Sequence, residues 1–226
     1  MKLTYFGHAC FSVEFGGIHL VFDPFIRPNP RAAAIDFASI PADVIFISHG
    51  HEDHVADVVD LARQTGALVV SNWEVYEWLA KQGLENLHPM NHGGSKTLDF
   101  GRVKMVNAIH SSTLPGGMPG GNPAGFVIST GEGDFYYSGD TALTWDMKLI
   151  AEEFRPKFAV LPIGDNFTMG AKDAAKAAGF VGSPVVVGVH YDTFPYIEIS
   201  KEAAQAEFAG TGVRLLLPGI GETIDL

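Results

Sequence analysis

From its first residues the chain alternates apolar and polar side chains: Phe11, Val13 and Phe15 are separated by Ser12 and Glu14. A period of two predicts strands with one buried face, here over 2–6, 11–15 and 18–23, with Gly16-Gly17 as a hairpin turn. The uninterrupted run Val44-Ile45-Phe46-Ile47 predicts a strand buried on both faces. Beyond it Val55, Val58, Val59 and Ala62 keep helical spacing up to Gly66. Residues 67–71 predict another buried strand, and Asn72 a side-chain cap for a helix over 73–82.

The pattern continues with strands near 96–100 and 102–109, then strands over 125–130, 134–138, 158–163, 185–190 and 213–217. Helices are predicted near 145–154, 171–180 and 200–209. The stretch from Leu114 to Gly125 holds too much Gly and Pro for either element and predicts a long surface loop. Long loops often carry function, so Leu114 and Met118 are expected to fold over a nearby site as a lid. Strands lead each half and helices alternate with strands later, a pattern of two packed sheets with helices on their outer faces. No linker-like composition interrupts 1–226, so a single domain is expected.

Composition narrows the function. Hydrophobic residues make up 46% and charged residues 18% of 226 positions, with 26 glycines and 13 prolines, which suits a turn-rich globular protein. The formal charge is −11, and no stretch gathers Lys and Arg, so nucleic-acid binding is not expected. Cys10 is the single cysteine, which excludes a disulfide framework and a thiolate metal cage and fits a reducing cytoplasm. The N-terminus reads as a strand and not as a secretory signal, and no apolar run approaches the roughly 18 residues a membrane span needs. Homo-oligomer formation stays open.

The chemistry lies after the buried run at 44–47, where Ser-His-Gly-His-Glu-Asp-His occupies 48–54. Imidazole and carboxylate are ligands for zinc and other divalent metals, and a loop lets residues two apart converge where a straight strand would part them. Four ligands in one loop cannot complete two coordination shells. Further candidates are His110, Asp140 and His190, each at or just past the end of an apolar strand, where open α/β folds gather their sites.

This ordered set, H-x-H-x-D-H followed by separated His, Asp and His, resembles the metallo-β-lactamase superfamily. The resemblance implies an αββα four-layer sandwich. It further implies His49, His51 and His110 on one metal ion, Asp53, His54 and His190 on a second, and Asp140 bridging. The opening Tyr5-Phe6-Gly7-His8-Ala9-Cys10 and the stretch from Pro162 to Gly170 resemble a narrower branch, metal-dependent hydrolases related to bacterial ascorbate-6-phosphate lactonase.

Other residues are weighed one by one. Asp23, before Pro24, either caps a turn or orients a ligating histidine, and the resemblance favours the latter. His8 either packs in the first hairpin or aims at the metal centre as a proton donor. Asn166, Thr168 and Met169 follow a buried strand and are expected to line the substrate pocket. Cys10 is expected in the core, with nothing near it to activate a thiolate. His19, His88 and His92 match no ligand position.

The expected activity is hydrolysis of a small ester, lactone or phosphorylated molecule by hydroxide that two divalent ions activate. Asp53 would orient the nucleophile, and metal-bound water or His8 would protonate the leaving group. The ligand types suit zinc first, with manganese or iron also compatible. Two other readings compete: a small-molecule phosphodiesterase, and a protein that binds metal or ligand without turnover.

Overall fold

The computed structural model describes residues 1–226 and divides into two compact units, one of Met1–Asn91, Ser111–Pro123 and Pro218–Leu226, the other of His92–His110 and Ala124–Leu217. The first unit opens with strands β1 (Lys2–Gly7), β2 (Cys10–Phe15), β3 (Ile18–Phe22) and β4 (Val44–Phe46). Helices α1 (Glu52–Val55) and α2 (Val58–Thr65), strand β5 (Leu68–Asn72), helix α3 (Trp73–Lys81) and strand β6 (Leu87–Met90) follow. The second unit begins with β7 (Ser95–Leu98) and β8 (Gly101–Asn107). After β9 (Thr113–Leu114) and β10 (Met118–Pro119), which belong to the first unit, come β11 (Ala124–Thr130), β12 (Gly133–Tyr137), α4 (Met147–Glu153), β13 (Pro156–Pro162) and α5 (Ala171–Val181). The second unit closes with β14 (Val185–Val189), α6 (Lys201–Phe208) and β15 (Arg214–Leu216), and β16 (Thr223–Asp225) returns to the first.

Each unit is built on a seven-stranded mixed sheet. In the first the order is β16-β1-β2-β3-β4-β5-β6, antiparallel as far as β3 and parallel from β3 to β6. In the second it is β15-β14-β13-β12-β11-β8-β7, parallel from β15 to β12 and antiparallel beyond. The parallel strands need crossover connections, and the helices supply them. That requirement leaves the C-terminal ends of β3, β4, β12 and β14 opening into loops.

The predicted alternation holds where it matters for the site. Val44, Ile45, Phe46 and Ile47 are all buried, as a strand between two neighbours demands. On one face Ile45 and Ile47 pack with Val55, Val58 and Leu61 of the helices and with Val75 of α3. On the other face Phe11, Phe22 and Phe46 stack in register across β2, β3 and β4, with ring centroids 4.6 and 5.0 Å apart. Burying each such ring contributes on the order of 1.5–3 kcal/mol, so the strand that feeds the histidine loop is held from both sides. Asn72 caps α3 as expected, its Oδ1 accepting from the Val75 N–H at 2.9 Å.

Several elements differ from the sequence expectation. β6 contains Pro89, which suits an edge strand, and β16 pairs only through β1. The stretch 114–125 is not a plain loop: β9 and β10 form a small hairpin, with Met118 opposite Leu114. Leu114 is 3% exposed and belongs to the core of the first unit, so the expected lid loses one of its two apolar contacts. Met118 remains exposed. No helix is long and apolar enough to cross a membrane.

Candidate metal centre

Buried imidazoles and carboxylates are costly unless hydrogen-bonded. In the first unit the cost is met by a chain of bonds that starts at Asp23, wholly buried at the end of β3. Asp23 Oδ1 accepts from the Ser48 N–H at 2.7 Å, and Oδ2 accepts from Ser48 Oγ at 2.5 Å. The same Oδ2 lies 2.7 Å from His54 Nδ1. Since the Ser48 hydroxyl spends its one proton on Asp23, it accepts from His49 Nδ1, 2.9 Å away. Both imidazoles are thereby fixed with Nδ1 protonated and Nε2 left as the metal-binding nitrogen, the usual support for a ligating histidine.

The remaining side chains of the loop gather on the same spot. His51 is held at Nε2 by Ser111 Oγ, 3.2 Å away, and its Nδ1 comes within 2.9 Å of His49 Nε2. Two ligands of one tetrahedral zinc stand roughly 3.3 Å apart, given bonds of about 2.0 Å, so these two nitrogens are close to the spacing of a shared ion. Atoms of Asp23, His49 and His54 lie within 4.8 Å of one another, as do atoms of His8, Asp53 and His54. His8 Nε2 is 2.9 Å from Asp53 Oδ2, and the His8 carbonyl accepts from the Tyr5 hydroxyl at 3.0 Å. The first unit thus brings His8, Asp23, His49, His51, Asp53 and His54 together.

In the second unit three expected ligands converge. His190 Nε2 lies 3.0 Å and His110 Nε2 3.6 Å from one and the same oxygen, Asp140 Oδ2. Local backbone bonding makes this possible. Thr141 Oγ1 accepts from the Ile109 N–H at 2.9 Å, and the Ala142 N–H donates to the Ile109 carbonyl at 3.1 Å. The residues beside His110 and Asp140 are thereby zipped together. A carboxylate oxygen that meets two imidazoles has the donor set of a shared metal ligand.

Strain marks the same places. His8, Asp23 and His190 have φ of 56°, 44° and 57°, a left-handed region that non-glycine residues seldom occupy. Such conformations persist only where the surroundings hold them, and they cluster at functional sites. Gly164 matters here for a different reason: a Cβ on it would sit 2.1 Å from the His190 carbonyl oxygen, so only glycine lets β13's exit pass the His190 backbone.

Some expected residues fall elsewhere. Met169 is 1% exposed and packs in the core of the second unit, which corrects its assignment to the pocket lining; its own N–H ties to the Thr141 carbonyl at 3.0 Å. Asn166 is exposed and lines a cavity of about 610 Å³, while Thr168 turns its hydroxyl to the Met169 carbonyl at 3.3 Å. Cys10 is fully buried, and desolvation pushes its thiol far up, so it is inert. Sequence reasoning overlooked Ser48, Ser111 and Thr141. Ser48 opens the histidine motif itself, and its position between the strand and the first histidine was the available signal.

Comparison with known proteins shows the family. Residues 2–190 match the family described as β-lactamase superfamily domain. A UPF0173 metal-dependent hydrolase of Flavobacterium johnsoniae is 51% identical over 226 residues, covering 100% of both chains. The structure of Igni18, a metallo hydrolase from the archaeon Ignicoccus hospitalis, is 33% identical with a TM-score of 0.89, covering 99% of this chain and 97% of that one. YhfI of Bacillus subtilis, a metallo-β-lactamase fold protein, shares 14% identity with a TM-score of 0.77 over 99% of this chain and 98% of its own, a likeness of fold.

Proposed function

Since the chain belongs to the UPF0173 metal-dependent hydrolases of the β-lactamase superfamily, we propose that it hydrolyses a small ester or lactone with two divalent ions, zinc by preference. The observations that carry this reading are the convergence of His110 and His190 on one oxygen of Asp140 in the second unit and, in the first, a histidine loop whose nitrogens are already aimed. His49, His51 and His110 would hold one ion and Asp53, His54 and His190 the other, with Asp140 shared between them. Residues 1–226 then work as one hydrolase domain, in the cytoplasm, on a small molecule and not on nucleic acid.

When bound, the ions supply hydroxide at neutral pH and polarise the scissile bond. The chain's own residues do the rest. Asp23 and Ser48 keep His54 and His49 in the tautomer that presents Nε2. His8 steadies Asp53 through the 2.9 Å contact and carries at Nε2 a proton that the leaving group can take. Asn166, one of the residues lining the cavity in the second unit, is the polar group we assign to substrate. Phosphodiester cleavage is the second choice.

The test is a screen of lactones, simple esters, thioesters and small phosphodiesters against protein loaded with zinc, manganese or iron. Turnover of an ester or lactone that depends on the ion supports the proposal. Tight metal binding with no turnover of any class would favour a binding protein.

A further inference from the structure

Two exposed aromatic side chains of the second unit have no part in the proposed metal centre. Phe167 is 52% and Tyr196 74% exposed, yet their rings meet edge to face with centroids 6.0 Å apart. They sit on different loops of the second unit. Large exposed aromatics that find each other across two loops offer a binding surface for a further flat group, since much of each side chain stays exposed.

Both loops are anchored beside the ligands. Phe167 follows three residues after Gly164, which abuts the His190 carbonyl, and precedes Met169, whose N–H is bonded to Thr141 next to Asp140. With a chain reach of about 3.6 Å per residue, Phe167 lies within about 11 Å of that point. Tyr196 lies six residues after His190, on a segment folded back by Asp192: its N–H donates to the Ile197 carbonyl at 2.8 Å, and its Oδ1 accepts from the Ile199 N–H at 3.0 Å.

The bends that present the two rings are left-handed. Asp165, Asn166 and Asp192 have φ of 60°, 55° and 59°. Asp and Asn adopt this region more readily than other non-glycine side chains, so each loop turns sharply at a defined place. The cavity of about 610 Å³ opens at Tyr196, lined by Asp165, Asn166, Tyr196 and Ile199 among others though not by Phe167, within the roughly 300–1,000 Å³ of small-molecule sites.

We propose that Phe167 and Tyr196 form an aromatic clasp that selects substrates carrying an aryl or similarly flat apolar group close to the scissile bond, at the Asp140 and His190 end of the second unit. The word substrate rests on the hydrolase reading; the clasp as a binding feature does not. Both residues set specificity and take no part in bond cleavage.

The experiment compares phenylphosphonate with methylphosphonate as ligands of the zinc-loaded protein by calorimetry, and phenyl acetate with methyl acetate as substrates of the same preparations. Wild type is set against Phe167→Ala, Tyr196→Ala and the ring-preserving Phe167→Tyr; all three changes are at exposed positions and should fold. The clasp predicts tighter binding of the phenyl compound by about tenfold, and a three- to tenfold loss of that preference in each alanine variant, in line with known aromatic contact strengths. Phe167→Tyr should keep the preference, and zinc content should not change. Equal affinities in the wild type, no binding of phenylphosphonate, or a preference that survives both alanine variants would each overturn it. Preference without ester turnover keeps the clasp and defeats the hydrolase reading, whereas turnover without preference does the reverse.

Discussion

Asp23 Oδ2 stands 2.7 Å from His54 Nδ1 and 2.5 Å from Ser48 Oγ, so one buried carboxylate sets the direction of two proposed ligands. Replacing Asp23 by Asn keeps the volume and tolerates the φ of 44° but removes one charged acceptor. Zinc affinity of Asp23→Asn, measured by competition with a chelator, should fall about 10- to 100-fold, the usual penalty for losing a ligand's orienting partner. Unchanged affinity would mean that the histidine loop holds its own shape.

His8 is a sharper case because its backbone is left-handed and its ring contacts Asp53. Asn accepts that backbone, so His8→Asn should fold and retain metal. If His8 supplies the leaving-group proton, kcat should fall about 10²- to 10⁴-fold with KM little altered. A normal kcat would reduce His8 to a packing residue.

Leu114 and Met118 are paired across the hairpin but differ in environment, one 3% and the other 42% exposed. Leu114→Ser should therefore cost about 2–4 kcal/mol in urea denaturation, and Met118→Ser less than about 0.5 kcal/mol. Equal and small effects would return Leu114 to the role of a movable lid.

How far the fold was legible follows from which forces act locally. Period-two alternation, the buried run at 44–47 and the Asn72 cap were readable because each depends on near neighbours in the chain. β6 and β16 were not, since Pro89 and a lone Ile224 gain strand geometry only from pairing with distant partners. The clustering of His49, His51, Asp53 and His54 in the first unit, and of His110, Asp140 and His190 in the second, was legible through their position after strands. Met169 was misread because a buried turn and a pocket wall share the same local sequence, and only the packing of α5 against β13 tells them apart. The left-handed His8, Asp23 and His190 gave no sign at all, since neither His nor Asp announces that backbone as Gly does.

Two glycines make a controlled contrast in stability. Gly164→Ala would drive a Cβ against the His190 backbone at 2.1 Å, whereas a Cβ on Gly179, inside α5, meets nothing within 4 Å. Thermal unfolding should show Gly164→Ala destabilised by at least about 1–3 kcal/mol and less able to retain metal. Gly179→Ala should be stabilised by roughly 0.5–1 kcal/mol through helix propensity. A neutral Gly164→Ala would mean that the exit of β13 is free to move away from His190.

The central claim is that these residues make hydrolysis depend on bound metal, and Asp140 tests it most directly because His110 and His190 both meet its Oδ2. The measurement counts zinc per chain and follows ester or lactone turnover in the same preparations of wild type and Asp140→Ala, before and after chelation. The account predicts about two ions in the wild type, loss of turnover with their removal and recovery on re-addition, and a variant depleted of metal and without turnover. Turnover by fully metal-free wild type, or an Asp140→Ala protein that keeps its full complement of zinc and its full rate, would contradict it.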